Sequence, residues 1–272
     1  MIRLCCRVPF DAFYRFNADD GWAIASHIAL STLMSMFPFL ILVTAIAGFV
    51  GSTDLADEVA RLIIAAWPRE VSEGIAGEIH SVLTTARGDV LTVGAFFAIY
   101  FASSGVESLR IGLNRAYGLV DPRPWWLLRL ESIGYVLVSA IGFLALAFLV
   151  VLGPLVFRAA LAYAPWLEPL ESHYDVGRFT AATILLTMSL LILHMWLPAG
   201  RRQFRDVWPG IVATLVLWIV AGFVFGRYLA DFSYAYVTYY AGLASAMTAL
   251  VFLYFTALIF IYGGELNAAI AR

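Results

Sequence analysis

From Trp22 to Val50 the chain runs without a single Asp, Glu, Arg or Lys. A helix built from such a run is longer than the roughly 30 Å hydrocarbon core of a bilayer. Five more sustained apolar runs follow, at about Val90–Ser108, Ile133–Phe157, Phe179–Leu197, Trp208–Leu229 and Gly242–Ile261, the last continuing as helix to Ala271. Apolar runs of about 18 residues or more mark membrane helices, whereas barrel strands are about ten residues long and alternate in polarity. Composition agrees: the 272 residues are 62% hydrophobic and 13% charged, with mean hydropathy +0.86. Soluble domains carry about 25% charge, so lipid must solvate part of this surface. The expected fold is all-α: one polytopic membrane domain over residues 1–272, with six transmembrane helices in residues 22–271.

Arginine placement predicts the direction of these helices. Arg3, Arg7 and Arg15 precede the first span, Arg110, Arg115, Arg123 and Arg129 follow the second, and Arg201, Arg202 and Arg205 follow the fourth. These segments share one side, which places both termini, including a cytoplasmic N-terminal segment 1–21, on the cytoplasmic face (N-in/C-in). The first outer loop, residues 52–88, holds two apolar stripes at helical spacing, Leu55–Val59–Leu62–Ile63–Ala66 and Val71–Ile75–Ile79–Val82–Leu83, separated by Pro68. Opposed by charges, they predict two short amphipathic helices on the outer surface. The aromatic segment Asp231–Tyr240 reads as an interfacial belt. No cleavable signal segment precedes the first span, so that span is expected to act as its own insertion signal. Cys5 and Cys6 are adjacent and predict no structural disulfide; lipid modification of either stays open.

Polar groups at membrane depth need partners and so reveal where helices meet each other or water. His27, Ser31 and Ser35 repeat every four residues ahead of Pro38, and Thr180, Thr183 and Thr187 align with His194. Both stripes are expected to face inward, either lining a wet cavity or bonding between helices and to their own backbone. Gly94, Ala98, Ala102 and Gly105, and separately Gly222 and Gly226, are small-residue faces suited to close packing. Glu107 and Glu265 stand at the cytoplasmic ends of the second and sixth spans, with Arg110 and Arg115 as candidate partners.

Some of these residues also carry a resemblance. Ser103-Ser104-Gly105-Val106-Glu107-Ser108-Leu109-Arg110, then Leu113-Asn114-Arg115-Ala116-Tyr117-Gly118, is similar to the cytoplasmic motif of the YihY/BrkB membrane protein family. Tyr262-Gly263-Gly264-Glu265-Leu266-Asn267 resembles its Gly-Ala-Glu-Leu-Asn ending, and Leu152-Gly153-Pro154 and Ser35-x-Phe37-Pro38 also fit. Tyr240-Ala241-Gly242-Leu243-Ala244-Ser245 departs from the family's Tyr-Gly-Ser-Leu. The resemblance implies a six-helix protein of the bacterial inner membrane, in a family named from a virulence-associated serum-resistance factor. Members are linked to envelope lipid or lipopolysaccharide handling, and some carry the name ribonuclease BN.

The functional expectation is handling or translocation of lipid, or of another envelope-related substrate. No Walker motif is present, so the chain is not expected to hydrolyse ATP itself. The residues singled out are Glu107, Arg110, Asn114, Arg115, Glu265 and Asn267, together with the stripe His27, Ser31, Ser35, Thr183, Thr187 and His194. The alternative is a non-transporting scaffold or partner subunit of an envelope complex, with Arg110–Arg129 and its Trp125 and Trp126 as the docking segment. A tRNA-processing nuclease fits poorly: His27, His80, His173 and His194 are scattered, and no soluble domain is there to hold RNA. The chain is thus expected to be no enzyme and to need no metal or cofactor. Membrane lipids and envelope proteins are the expected partners, without nucleic acid, and homo-oligomerisation stays open.

Overall fold

The computed structural model describes residues 2–50, 90–149, 171–240 and 244–271, together with 157 and 161. Among the described residues the regular structure is helical, without strands. Seven helices follow one another: α1 (Ile2–Ala18), α2 (Gly21–Val50), α3 (Val90–Ala116), α4 (Trp125–Ala147), α5 (Glu171–Trp196), α6 (Phe204–Tyr240) and α7 (Ala244–Ala271). Among the described residues, four stretches are long and apolar enough to cross a membrane: Trp125–Leu146, Val176–Trp196, Phe204–Leu229 and Ala246–Ala271. The outer-loop helices expected in residues 52–88, His80, and the Leu152–Pro154 motif lie outside the described residues.

α7 is the centre of the bundle. It packs on α6, α2, α1 and α3, while α4 lies against α3 and α2, and α5 against α6. Within the apolar stretch of α7, 44% of residues are buried, against 11–22% in the other three. The outer helices instead present apolar side chains outward, among them Ile219, Phe223 and Val138, as a lipid-facing surface should. The main core gathers at one end. Phe16 of α1, Ile28 of α2, Leu113 of α3, Leu190 of α5, Ile211 of α6 and Phe260 of α7 belong to one buried cluster.

The structure adds to the sequence reading at three places. Within the N-terminal segment 1–21, α1 is a helix that buries Ala12 and Phe16 and leaves Phe10, Phe13 and Tyr14 exposed. It turns into α2 through Asp20, whose φ of 58° is left-handed, and Gly21, where a Cβ would meet the Phe16 ring. Next, the aromatic segment Asp231–Tyr240 is helical and continues α6. Finally, the small residues divide differently. Ala98 and Ala102 are buried, and a Cβ on Gly105 would meet Ser35 Oγ at 2.5 Å, so the α2–α3 contact uses that face as expected. Gly222 and Gly226, however, have no atom within 4 Å of where a Cβ would stand.

The tight crossing lies elsewhere on α6. A Cβ on Gly210 would sit 2.1 Å from the Gly263 carbonyl oxygen of α7, and one on Gly263 would sit 2.2 Å from Thr214 Oγ1. Only glycine lets the two backbones approach this closely. Gly210→Ala should therefore push α6 and α7 apart and destabilise the protein by about 1–3 kcal/mol. Gly222→Ala should stay within about 0.5 kcal/mol of the parent. Thermal unfolding of both variants in detergent checks the contrast; equal midpoints would contradict the crossing.

Candidate functional site

At the end of the bundle that carries the arginine-rich segments, polar side chains form a continuous chain across four helices and two loops. Asn267 on α7 accepts a hydrogen bond at Oδ1 from the Gly210 N–H of α6 (2.6 Å) and donates through Nδ2 to the Tyr117 hydroxyl (3.3 Å). The Arg202 guanidinium lies over the Tyr117 ring at 3.9 Å and donates to the Ala199 carbonyl (2.9 Å). Ala199 N–H in turn donates to Asn114 Oδ1 of α3 (2.7 Å), and Asn114 Nδ2 donates to Asp121 (3.3 Å). Arg123 pairs with Asp121 at 2.6 Å and with Glu131 of α4 at 2.7 Å. Arg110, 2% exposed, fills the middle: it donates to the Leu197 and Leu128 carbonyls and reaches Glu131 at 3.5 Å. Two amides and two arginines thereby hold the α3–α4 and α5–α6 loops against the core.

Helix periodicity explains who pairs with whom. Arg110 turns inward, so Glu107 pairs with neither Arg110 nor Arg115; its partner is Arg129 of α4, at 2.5 Å. Arg115 faces the α1–α2 turn, 3.9 Å from Asp19 and 3.6 Å from Asp20. In the loop, Arg123 holds the Asp121 carboxyl well below the usual carboxylate value of 3.8, at about 2.

Glu265 behaves differently. It is 1% exposed, and its Oε2 has no hydrogen-bond partner among the described residues. The charges that bear on it are Asp19 and Arg15, at the end of α1. Arg110, Asn114 and Asn267 are thus brought into one network, Glu107 and Arg115 flank it through their own ion pairs, and Glu265 stays apart.

The two polar stripes are not brought together, because α2 packs on α3 and α7 whereas α5 packs on α6. His27 and Thr183 are exposed, Ser31 and Thr187 are half-buried, and Ser35 and His194 are buried. Their hydrogen bonds are local. Thr180, Thr183 and Thr187 donate to carbonyls four residues back, and Ser35 donates to Thr32. His194 Nδ1 lies 3.0 Å from the Leu190 carbonyl, with its ring edge-on to Phe260 at 4.7 Å. Hydroxyls in lipid satisfy themselves this way when no other helix offers a partner. Of the two alternatives their spacing left open, Ser35, Thr183, Thr187 and His194 follow the second, bonding to the backbone of their own helix.

Beyond the Gly210–Gly263 crossing, α6 and α7 separate. Trp218 Nε1 donates to the Thr256 carbonyl at 3.1 Å, and past it lies a groove of about 740 Å³. Leu217, Ala221, Gly222, Phe225 and Tyr228 line it from α6, and Val251, Phe252 and Phe255 from α7. The groove was not legible in the sequence, where these positions read as ordinary span residues. Asp121, Glu131, Tyr117 and Arg202 were also missed as site members. Their only signal was the clustering of opposite charges in two short loops.

The sequence profile of the family described as "Virulence factor BrkB" matches residues 12–272. A Bacillus subtilis protein named "Putative ribonuclease-like protein YfkH" is 24% identical over 262 residues, covering 96% of this chain and 94% of that one. A UPF0761 membrane protein of Rhodospirillum centenum is 24% identical over 260 residues, covering 94% of this chain; the match takes in 55% of that longer protein. No solved structure matches. Among the described residues, no group of three or more His, Cys, Asp or Glu is placed to hold a metal ion.

The network makes two predictions. Arg110→Ala leaves the Leu128 carbonyl without its buried donor and Glu131 with Arg123 alone, and should cost about 1–3 kcal/mol, read as a lowered thermal midpoint. The stabilisation from Asp121 has the sign of a depressed carboxylate: it is complete above about pH 4 and fades as pH falls toward about 2. Asp121→Asn should therefore lower the thermal midpoint at neutral pH, and its deficit should shrink on acidification across that window. A deficit independent of pH would contradict the ion pair.

Proposed function

The chain belongs to the virulence factor BrkB family, and from that premise we propose that it is a multi-pass inner-membrane protein that handles lipid, holding an acyl chain in the groove between α6 and α7. The observation that carries this reading is the groove itself: about 740 Å³, lined almost wholly by apolar and aromatic side chains, on two helices apolar enough to span a bilayer. Walls of this kind match a hydrocarbon chain and offer no ligands for a charged solute. Because the polar stripes do not converge, the reading is lipid binding from within the bilayer rather than passage of a headgroup through a wet channel.

The six-span arrangement belongs to the same proposal. α2 supports it with 30 residues free of ionisable side chains other than His27. The arginines of both loops of the polar network and of α1 support a cytoplasmic location for that end. In this reading the protein is no enzyme, and the ribonuclease-like name of the Bacillus subtilis relative says nothing of this chain's chemistry. A scaffold role is the second reading. The observation favouring it is the rigid polar network, which holds a fixed surface of Trp125 and Trp126, both exposed.

Gly222→Leu tests the lipid reading, because this position lines the groove and has room for a side chain. With a lipid bearing a photoreactive acyl chain, crosslinks in the parent protein should concentrate on residues 217–228 and 251–259. In Gly222→Leu they should fall severalfold at unchanged thermal stability. Crosslinks spread evenly over all exposed helix faces would sink the lipid reading and leave the scaffold one.

A further inference from the structure

The arginines of the polar network are nearly all matched by carboxylates. Arg110, Arg115, Arg123 and Arg129 each have one, in Glu131, Asp19 and Asp20, Asp121, and Glu107. Arg202 is the exception. It is partly buried and held from two directions, by the Tyr117 ring and the Ala199 carbonyl, yet no carboxylate pairs with it among the described residues. Its Nη1 is buried and has no hydrogen-bond partner there. Burial lowers its affinity for its proton, as expected for a cation stripped of water without an anion beside it.

The surroundings add positive potential. Arg201 and Arg205 are exposed on either side, without ion-pair partners among the described residues. All three stand at the start of the 37-residue α6, where free backbone N–H groups and the helix dipole favour anions. The one carboxylate in this turn, Asp206, accepts the Gln203 N–H at 3.1 Å. The loop is rigid, since Ala199 N–H is held by Asn114 and the Leu197 carbonyl by Arg110 and Arg123. Gly200, at φ 85°, gives it the sharp turn that brings Arg202 back over Tyr117.

We propose that Arg202, with Arg201 and Arg205, forms a phosphate-binding site at the start of α6, filled by a phospholipid headgroup or a soluble phosphate. A guanidinium held flat beside two further exposed arginines is suited to a phosphate group, which it engages more strongly than a lone ammonium does. The bound anion would supply the counter-charge that every other arginine of the network already has. This site is independent of the groove and stands whether or not an acyl chain occupies it.

The test uses the purified full chain in detergent, with thermal unfolding as the readout. One arm titrates inorganic phosphate at constant ionic strength, balanced with sodium chloride. The other compares micelles supplemented with phosphatidylglycerol or with phosphatidylcholine. The midpoint should rise saturably with phosphate or with phosphatidylglycerol, and not with chloride. A response to phosphatidylglycerol identifies a headgroup site, and a response to phosphate alone identifies a soluble ligand. Arg202→Gln should weaken the half-saturation point by about tenfold or more, the usual scale for losing a charge-assisted hydrogen bond. If Arg202→Gln does not fold, the exposed pair Arg201→Gln with Arg205→Gln carries the test and should weaken binding in the same direction. No saturable response to either probe, or a response that these variants keep in full, overturns the proposal.

Discussion

The contact on which the rest of the bundle depends is the hydrogen bond from Gly210 N–H to Asn267 Oδ1, made where α6 and α7 cross backbone to backbone. Two bare glycines bring the helices close enough for the amide to reach, and the amide then fixes their register. Asn267 is 1% exposed, so each of its polar atoms must be satisfied within the protein. Its Nδ2 does this through Tyr117, just beyond α3. One side chain thereby ties the central helix to α6 and to the start of the α3–α4 loop. Cost and benefit meet at one point: a buried amide is unfavourable alone and specific once every partner is present.

From that point the polar network spreads outward in the order of its chemistry. Amides sit deepest, and ion pairs lie towards the solvated loops, where desolvation is least costly. Arg110 is the one fully buried arginine among the described residues, and it is compensated by two carbonyls as well as Glu131. The same arrangement separates the molecule into a locked end and an open one. At the locked end, loops, α1 and the main core are bonded to one another. Beyond Trp218, where α6 and α7 make the ring contact Phe225–Phe252 at 5.7 Å, they leave a groove between them.

Much of this architecture was legible in the sequence because hydrophobic run length reads directly on bilayer thickness. The helical class and the extension of α7 to Ala271 could both be read from residues alone. Other features could not. Spacing placed Thr180, Thr183 and Thr187 on one face but gave no sign whether that face met protein or lipid; each hydroxyl bonds its own helix instead. Glycine spacing likewise pointed to Gly222 and Gly226, when the close approach is at Gly210 and Gly263, which lie on different helices. Pairings between elements, such as Glu107 with Arg129, depend on how α3 and α4 are rotated, and a single chain's periodicity does not encode that rotation.

The contrast between Glu265 and Arg202 separates two kinds of incomplete site. Both leave a buried polar atom without a partner among the described residues. Glu265 lies within α7, shielded on all sides and influenced by charges of both signs from α1. Arg202 stands in the partly solvated α5–α6 loop instead, and its guanidinium keeps its charge in nearly any protein setting. No carboxylate pairs with it among the described residues. Of the two, only the arginine carries an argument for a bound ligand, and its place at the start of α6 restricts that ligand to an anion.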